Sequence, residues 1–252
     1  MKIFLSAVEG QADIMDRIID AGERMHYNLM SYYYIQNKGL ATAERIRDHT
    51  EEILIDSGAH SFQFGKKVNW DEYTRNYAEF IQYFDRPNVV GYFEMDIENI
   101  IGYDKVKDLR RILENVSDKI IPVWHPPRGI QDFKDMCAQY AGKIIAIGGF
   151  RGTDIKNDQF IMFLKYAKKH NCKVHCLGMT RKRILDKVPF DYTDSSTWLA
   201  QANYGNMFYP SVTSVYAKVK GEEKKKQILN NYRQGMKMQE HYYNKWKSVC
   251  KD

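Results

Sequence analysis

Three aspartates each come directly after a short apolar run: Asp56 after Ile53–Ile55, Asp96 after Val89–Met95, and Asp194 after Phe190–Thr193. A carboxylate can act as a nucleophile or exchange protons as general acid or base. Chemistry that uses several carboxylates needs one to stay ionised while another trades protons. Asp56-Ser57-Gly58-Ala59-His60-Ser61-Phe62 puts a small, flexible turn behind its carboxylate, which leaves room for a flat ligand against the backbone. An Asx-turn leaving a strand fits the same residues. The segment runs on through Gln63, Phe64, Lys66 and Lys67, aromatics among cations, a pattern suited to base stacking with phosphate contact. Phe62 and Phe64 could equally tuck the loop onto the body of the protein.

Gly148-Gly149-Phe150-Arg151-Gly152 follows another apolar run. Paired glycines let main-chain N–H groups approach a ligand, and Arg151 could reach a phosphate; a sharp exit turn is the equal alternative. Asp194-Ser195-Ser196-Thr197-Trp198 reads either as a helix N-cap or as a nucleophile on a rim. His125 precedes Pro126-Pro127 and is either a satisfied loop side chain or a substrate contact. His175 sits between Val174 and Cys176, where a structural role is expected. Cys137, Cys172, Cys176 and Cys250 contain no CxxC pair, so neither a metal nor any other cofactor is expected.

These residues need a scaffold. Strand-length apolar runs recur at 2–5, 28–34, 53–55, 89–95, 119–124, 143–147, 173–177 and 190–193. They are mostly non-alternating, as in strands buried on both faces. Between them lie helical stripes: Ile14, Met15, Ile18 and Ile19; Tyr73, Tyr77, Phe80, Ile81 and Phe84; Val106, Leu109, Ile112 and Leu113. Eight strands alternating with helices predict an α/β fold, a (β/α)8 TIM barrel occupying 1–252 as one domain. An open doubly wound sheet fits less well, because no early GxGxxG is present. Residues 218–252 are expected to form a helical tail packed on the barrel. It starts with the basic cluster Lys218, Lys220 and Lys224–Lys226 and carries a stripe of Leu229, Tyr232, Met236, Tyr243 and Trp246.

The 252 residues hold 44% hydrophobic and 28% charged residues, which excludes general disorder. Net charge is +6, compatible with a nucleic-acid partner without requiring one. Four cysteines are too few and too scattered for a secreted disulfide framework, and no signal peptide or membrane span is legible. A soluble, intracellular protein with no membrane partner is expected.

Taken in order, the rim motifs resemble the tRNA-guanine (queuine) transglycosylase superfamily. The family's Asp-Ser-Gly-Gly-Phe-Gln is matched by the stretch at 54–62, its base-recognising Asp by Phe93-Glu94-Met95-Asp96, and its Gly-Gly-Leu turn by Ile147-Gly148-Gly149-Phe150. Its Gly-rich strand is matched by His175-Cys176-Leu177-Gly178 and its nucleophilic Asp by Asp194. The likeness covers roughly 50–200. Ala59 replaces the second glycine, His60-Ser61 replaces Phe-Gln, and the Cys-x-Cys-x-x-Cys…His zinc subdomain is absent. The chain is thus more similar to short phage-encoded relatives linked to 7-deazaguanine insertion into DNA, which would place it in a host cytoplasm.

The resemblance implies replacement of guanine by a preQ0-like 7-deazaguanine through a covalent Asp–sugar intermediate. Asp194 would be the nucleophile and Asp56 the general base. Asp96 and the Gly148-Gly149 amides would hold the base, with Ser57, Gly58, His125 and Phe62 as further substrate contacts. Lys66, Lys67, Arg151 and Arg181 would hold phosphates of a nucleic acid, DNA ahead of tRNA. The partners would be that polymer and a free 7-deazapurine, with a homodimer or partner subunit allowed. An N-glycosidase that uses water with the same carboxylates, or a barrel that binds nucleic acid without turnover, are the competing expectations.

Overall fold

The β-branched and aromatic runs form parallel strands: β1 (Lys2–Ser6), β2 (Met25–Ser31), β3 (Thr50–Asp56), β4 (Val89–Phe93), β5 in two pieces (Ile120–Ile121 and Val123–Trp124), β6 (Ile144–Ile147), β7 (Lys173–Cys176) and β8 (Tyr192–Ser195). The computed structural model describes residues 1–62, 68–148, 157–203 and 220–250. Around the strands stand α1 (Ala12–Asp20), α2 (Tyr32–Lys38), α3 (Leu40–Asp48), α4 (Trp70–Phe84), α5 (Glu98–Ile101), α6 (Tyr103–Glu114), α7 (Gly129–Gln139), α8 (Asn157–Lys169), α9 (Lys182–Leu185), α10 (Thr197–Asn203) and α11 (Gly221–Trp246).

Every strand is parallel to its neighbours. β1 pairs with β2 on one side and with β8 on the other, setting Phe4 opposite Asp194. The first piece of β5 pairs with β4 and the second with β6. Pro122 divides the two because it has no N–H to give a ladder. Its carbonyl still accepts from the Ala146 N–H at 2.8 Å, and the next N–H, Val123, goes to the buried carboxylate of Glu94 at 2.5 Å. The sheet is therefore a ring of eight strands, a (β/α)8 barrel with α11 added at its end.

Side chains alternate across each strand. One set fills the lumen: Phe4, Tyr27, Leu29, Leu54, Phe93, Ile121, Val123, Ala146 and Tyr192. The other set meets the helices, as with Ile53, Ile55 and Tyr92 against Tyr77, Ile81 and Phe84 of α4. Two positions further along the lumen-facing parity lie Ser6, Ser31, Asp56, His125, Gly148 and Asp194. The barrel's own period thus carries the polar rim residues inward over the mouth.

Three elements differ from expectation. The second strand runs Met25–Ser31, and Tyr32–Lys38 is helical. Tyr32 turns back onto Tyr77 and Phe80 at ring separations of 5.0 Å, so tertiary aromatic packing outweighs the β preference of three consecutive tyrosines. The last strand is Tyr192–Ser195, which puts Asp194 inside the strand instead of beyond it. On α11 the buried face is Ile228, Asn231, Tyr232, Gly235, Met238, Gln239 and Tyr242; of the expected stripe Tyr232 belongs to it, while Leu229, Met236 and Trp246 are half-buried and pack against the core from its edges. Two polar members of the face are tied to the barrel through their amide N–H groups: Gln239 Nε2 donates to the carbonyls of Ile3 (2.8 Å) and Tyr27 (2.6 Å), and Asn231 Nδ2 to that of Trp198 (3.1 Å). A hydropathy stripe cannot find a face that is held by hydrogen bonds. No helix among the described residues is long and apolar enough to cross a membrane.

Candidate active site

Asp56 is the last residue of β3, Asp194 the third residue of β8, and Asp96 stands three residues past the end of β4. All three lie on the C-terminal rim of the barrel, where a (β/α)8 fold carries its chemistry. Their surroundings differ.

Asp194 accepts three hydrogen bonds. His175 Nε2 lies 2.9 Å and the Gly178 N–H 2.8 Å from Oδ1, while the Ser6 hydroxyl reaches Oδ2 at 3.3 Å. It is not a helix cap. The Ser195 hydroxyl accepts from the Thr197 N–H at 3.1 Å at the start of α10, which leaves the Asp194 carboxylate facing the mouth. Asp96 accepts from His125 Nε2 at 2.6 Å through Oδ1, and its Oδ2 has no hydrogen bond among the described residues. Burial alone would pull the His125 imidazole down, but the hydrogen bond and charge of Asp96 hold it above its ordinary value.

The setting of Asp56 is different. Burial pushes its carboxyl up, the negative charges of Asp96 and Asp194 add to the effect, and the Gly58 N–H, 3.1 Å from Oδ2, opposes it; the result is about 7. The Asp56 proton is therefore in play near neutrality. The rim was expected to contain three carboxylates. That Asp96 and Asp194 are tied to histidines was invisible in the sequence, and His175, expected to be structural, sits directly on Asp194.

Several expected substrate contacts have other duties. Ser57 is fully buried; its hydroxyl donates to the Glu94 carbonyl at 2.9 Å, and its own carbonyl accepts from the Tyr73 hydroxyl at 2.7 Å. Gly58 has φ +73°, and a Cβ there would stand 2.3 Å from Tyr33 Cβ and 2.6 Å from Ser31 Oγ. Its flank is filled by the α2 start rather than open to a flat ligand. Phe62 packs edge-on against Tyr33 (4.7 Å), Tyr73 (5.1 Å) and Trp70 (5.6 Å), so it tucks its loop down. The Gly148 N–H already donates to the Trp124 carbonyl at 2.9 Å and cannot serve a base carbonyl. What needs glycine at 148 is His125, whose Cε1 would lie 2.8 Å from a Cβ there.

Arg181 is half-buried at the head of α9, on the loop that also supplies the Gly178 N–H. Gln63, Phe64, Lys66, Lys67, Gly149, Phe150, Arg151, Gly152 and Lys218 lie outside the described residues. In the tail, Lys225 pairs with Asp13, and Glu222, two residues into α11, pairs with Arg17. The basic cluster is thus partly engaged in holding α11 to α1. Among the described residues no group of three or more His, Cys, Asp or Glu could hold a metal ion. A cleft of about 250 Å³ opens at the opposite mouth, but lysines (Lys119, Lys143, Lys173) wall it, and Asp118 is its one acid.

No family model and no curated protein matches the chain. Solved structures do. A mutant tryptophan synthase alpha-subunit from Pyrococcus furiosus superposes with a TM-score of 0.51 at 12% identity, over 93% of this chain and 96% of that one. A protein from Aquifex aeolicus VF5 gives 0.51 at 11% identity, over 92% and 91%. The likeness is one of fold. A sialic acid synthetase from Leptospira borgpetersenii serovar Hardjo-bovis matches at a TM-score of 0.38, too low to carry an argument. The named neighbours are enzymes built on this barrel, and at such identities no activity passes from them to this chain.

Proposed function

We propose that the protein exchanges bases at a nucleic-acid guanosine, in the manner of the guanine transglycosylases its rim motifs resemble. The observation that carries the reading is the unequal setting of the rim carboxylates: Asp194 and Asp96 each accept from a histidine, whereas burial and the charges of those two push Asp56 up to about 7. An Asp194 oxygen attacks C1′ of the flipped-out nucleotide, and the C1′–N9 bond breaks with its electron pair passing to guanine. Protonated Asp56 gives its proton to the departing base. The Asp56 carboxylate then takes a proton from the N–H of an incoming 7-deazaguanine, whose nitrogen attacks C1′ and expels Asp194. A group with a value near 7 performs both transfers at neutral pH. Asp96, whose Oδ2 has no hydrogen bond among the described residues, accepts from the amidine-like edge of the base.

The polymer is DNA in this reading, since the chain lacks the zinc subdomain of the tRNA-acting members it resembles. The test is incubation with labelled guanine and oligonucleotides of DNA and tRNA, with trapping of the covalent complex. Label entering DNA, an adduct on DNA, and loss of both in Asp194→Asn with stability nearly intact are the expected results. Abasic sites without label would make the protein a hydrolase, and an adduct with tRNA alone would overturn the choice of polymer. Unchanged binding with no chemistry in either the parent or Asp194→Asn would leave only a nucleic-acid-binding barrel.

A further inference from the structure

The three donors on Asp194 are distributed unevenly between its oxygens. Oδ1 takes both the short contacts, from His175 Nε2 at 2.9 Å and the Gly178 N–H at 2.8 Å, whereas Oδ2 takes, among the described residues, only the Ser6 hydroxyl at 3.3 Å. A hydroxyl can rotate away from a ligand; a backbone N–H and a buried ring cannot. The His175 ring is wholly buried in the lumen, 5.0 Å from the ring of Phe93 in an edge contact and 6.4 Å from Phe4. Its Nδ1 is buried with no hydrogen-bond partner among the described residues.

That orphan nitrogen decides where the proton is. Facing a carboxylate oxygen, Nε2 must donate. A proton on Nδ1 would leave a buried donor with nothing to bond, while a bare lone pair there is better tolerated. The geometry therefore points to the Nε2–H tautomer, a donor wedged between two aromatic rings.

We propose that His175 is a positioning residue for Asp194: as the Nε2–H tautomer it pins Oδ1 and leaves Oδ2 as the oxygen that bonds to C1′. The inference rests on the base-exchange reading and deepens it. In the covalent adduct Oδ2 becomes the ester oxygen and Oδ1 its carbonyl, still facing the His175 and Gly178 donors. When the incoming base breaks the C1′–Oδ2 bond, the electron pair returns to a carboxylate whose donors are already in place, the arrangement that lowers such a barrier.

Two variants and one spectrum test this. His175→Gln can place an amide N–H where Nε2 stood, and His175→Met fills the same space with no donor. With both variants folded, we expect the Gln form to keep most of the turnover. The Met form should lose about 100-fold in kcat with little change in KM, as misplacement of a reacting group does. A folded Met variant with unimpaired kcat overturns the role, and so does a Gln variant no better than Met. The 15N spectrum of His175 in the unmodified protein is expected to show the proton on Nε2; a proton on Nδ1 refutes the inference outright. Should the unmodified protein exchange no base, the proposed reaction has failed, and the spectrum still decides the tautomer.

Discussion

His125 Nε2 lies 2.6 Å from Asp96 Oδ1, and this bond joins the loop after β4 to the end of β5 across the rim. Because Asp96 holds the imidazole above its ordinary value, the pair stabilises the fold fully below the unfolded histidine value of about 6.5. That contribution is lost as pH rises through the raised value in the folded protein. Asp96→Asn removes the charge, so the His125 titration followed by NMR should move down. A midpoint unchanged by the substitution would show that burial and other groups set it.

Asp56 makes stability fall with rising pH as well, through a buried carboxyl and over a lower range. Its carboxyl titrates at about 7 in the folded protein against an ordinary 3.8, so the native state keeps a proton that the unfolded chain releases. Stability therefore falls as pH rises from about 4 to about 7. Asp56→Asn has nothing to ionise: it should match the parent near pH 4 and exceed it at pH 8 by on the order of 1–3 kcal/mol in urea denaturation. A variant less stable than the parent at pH 8 would refute the buried-carboxyl account.

The two half-reactions should show the same group with opposite slopes. Adduct formation needs protonated Asp56 and should slow as pH rises through about 7. Adduct breakdown by the incoming base needs the carboxylate and should quicken over the same interval. Single-turnover rates measured separately for the two steps check this, and parallel slopes would remove Asp56 from the proton transfers.

Gly58→Ala combines a positive φ of +73° with a Cβ 2.3 Å from Tyr33 Cβ and 2.8 Å from the Tyr33 nitrogen. The backbone of α2 cannot yield cheaply. A loss of about 2–4 kcal/mol in chemical denaturation is expected, well beyond the roughly 1 kcal/mol of conformational strain alone.

Glu94 precedes the rim and supports it from beneath. Its Oε2 meets Arg110 Nε at 2.5 Å and its Oε1 meets the Val123 N–H beside the Pro122 break, with both side chains buried. Arg110→Met strands a buried carboxylate and should destabilise by about 3–5 kcal/mol; adding Glu94→Gln should recover part of that loss. Equal stability of the single and double variants would show that the pair is not coupled.

The sequence by itself determined the barrel and the carboxylates on its rim. Short buried runs alternating with stripes such as Tyr73–Tyr77–Ile81–Phe84 leave few ways to hide both faces of a parallel sheet, and closure is the economical one. Position at a strand's C-terminal end then places Asp56, Asp96 and Asp194 together, because all strands run the same way. Local signals failed where a side chain's role depends on a partner far away in the chain. Ser57 and Gly58 read as ligand-facing until Glu94 and Tyr33 were found against them, and the Gly148 N–H until Trp124 claimed it. The spacing at Asp194 favours a helix cap over a nucleophile, and the register that makes it a strand residue, with the Ser195 hydroxyl accepting from the Thr197 N–H, removes the cap. The pairing of His175 with Asp194 was decided wholly by tertiary structure: adjacent parallel strands set the two side chains into one lumen, and a contact between strands has no signature in the spacing along either.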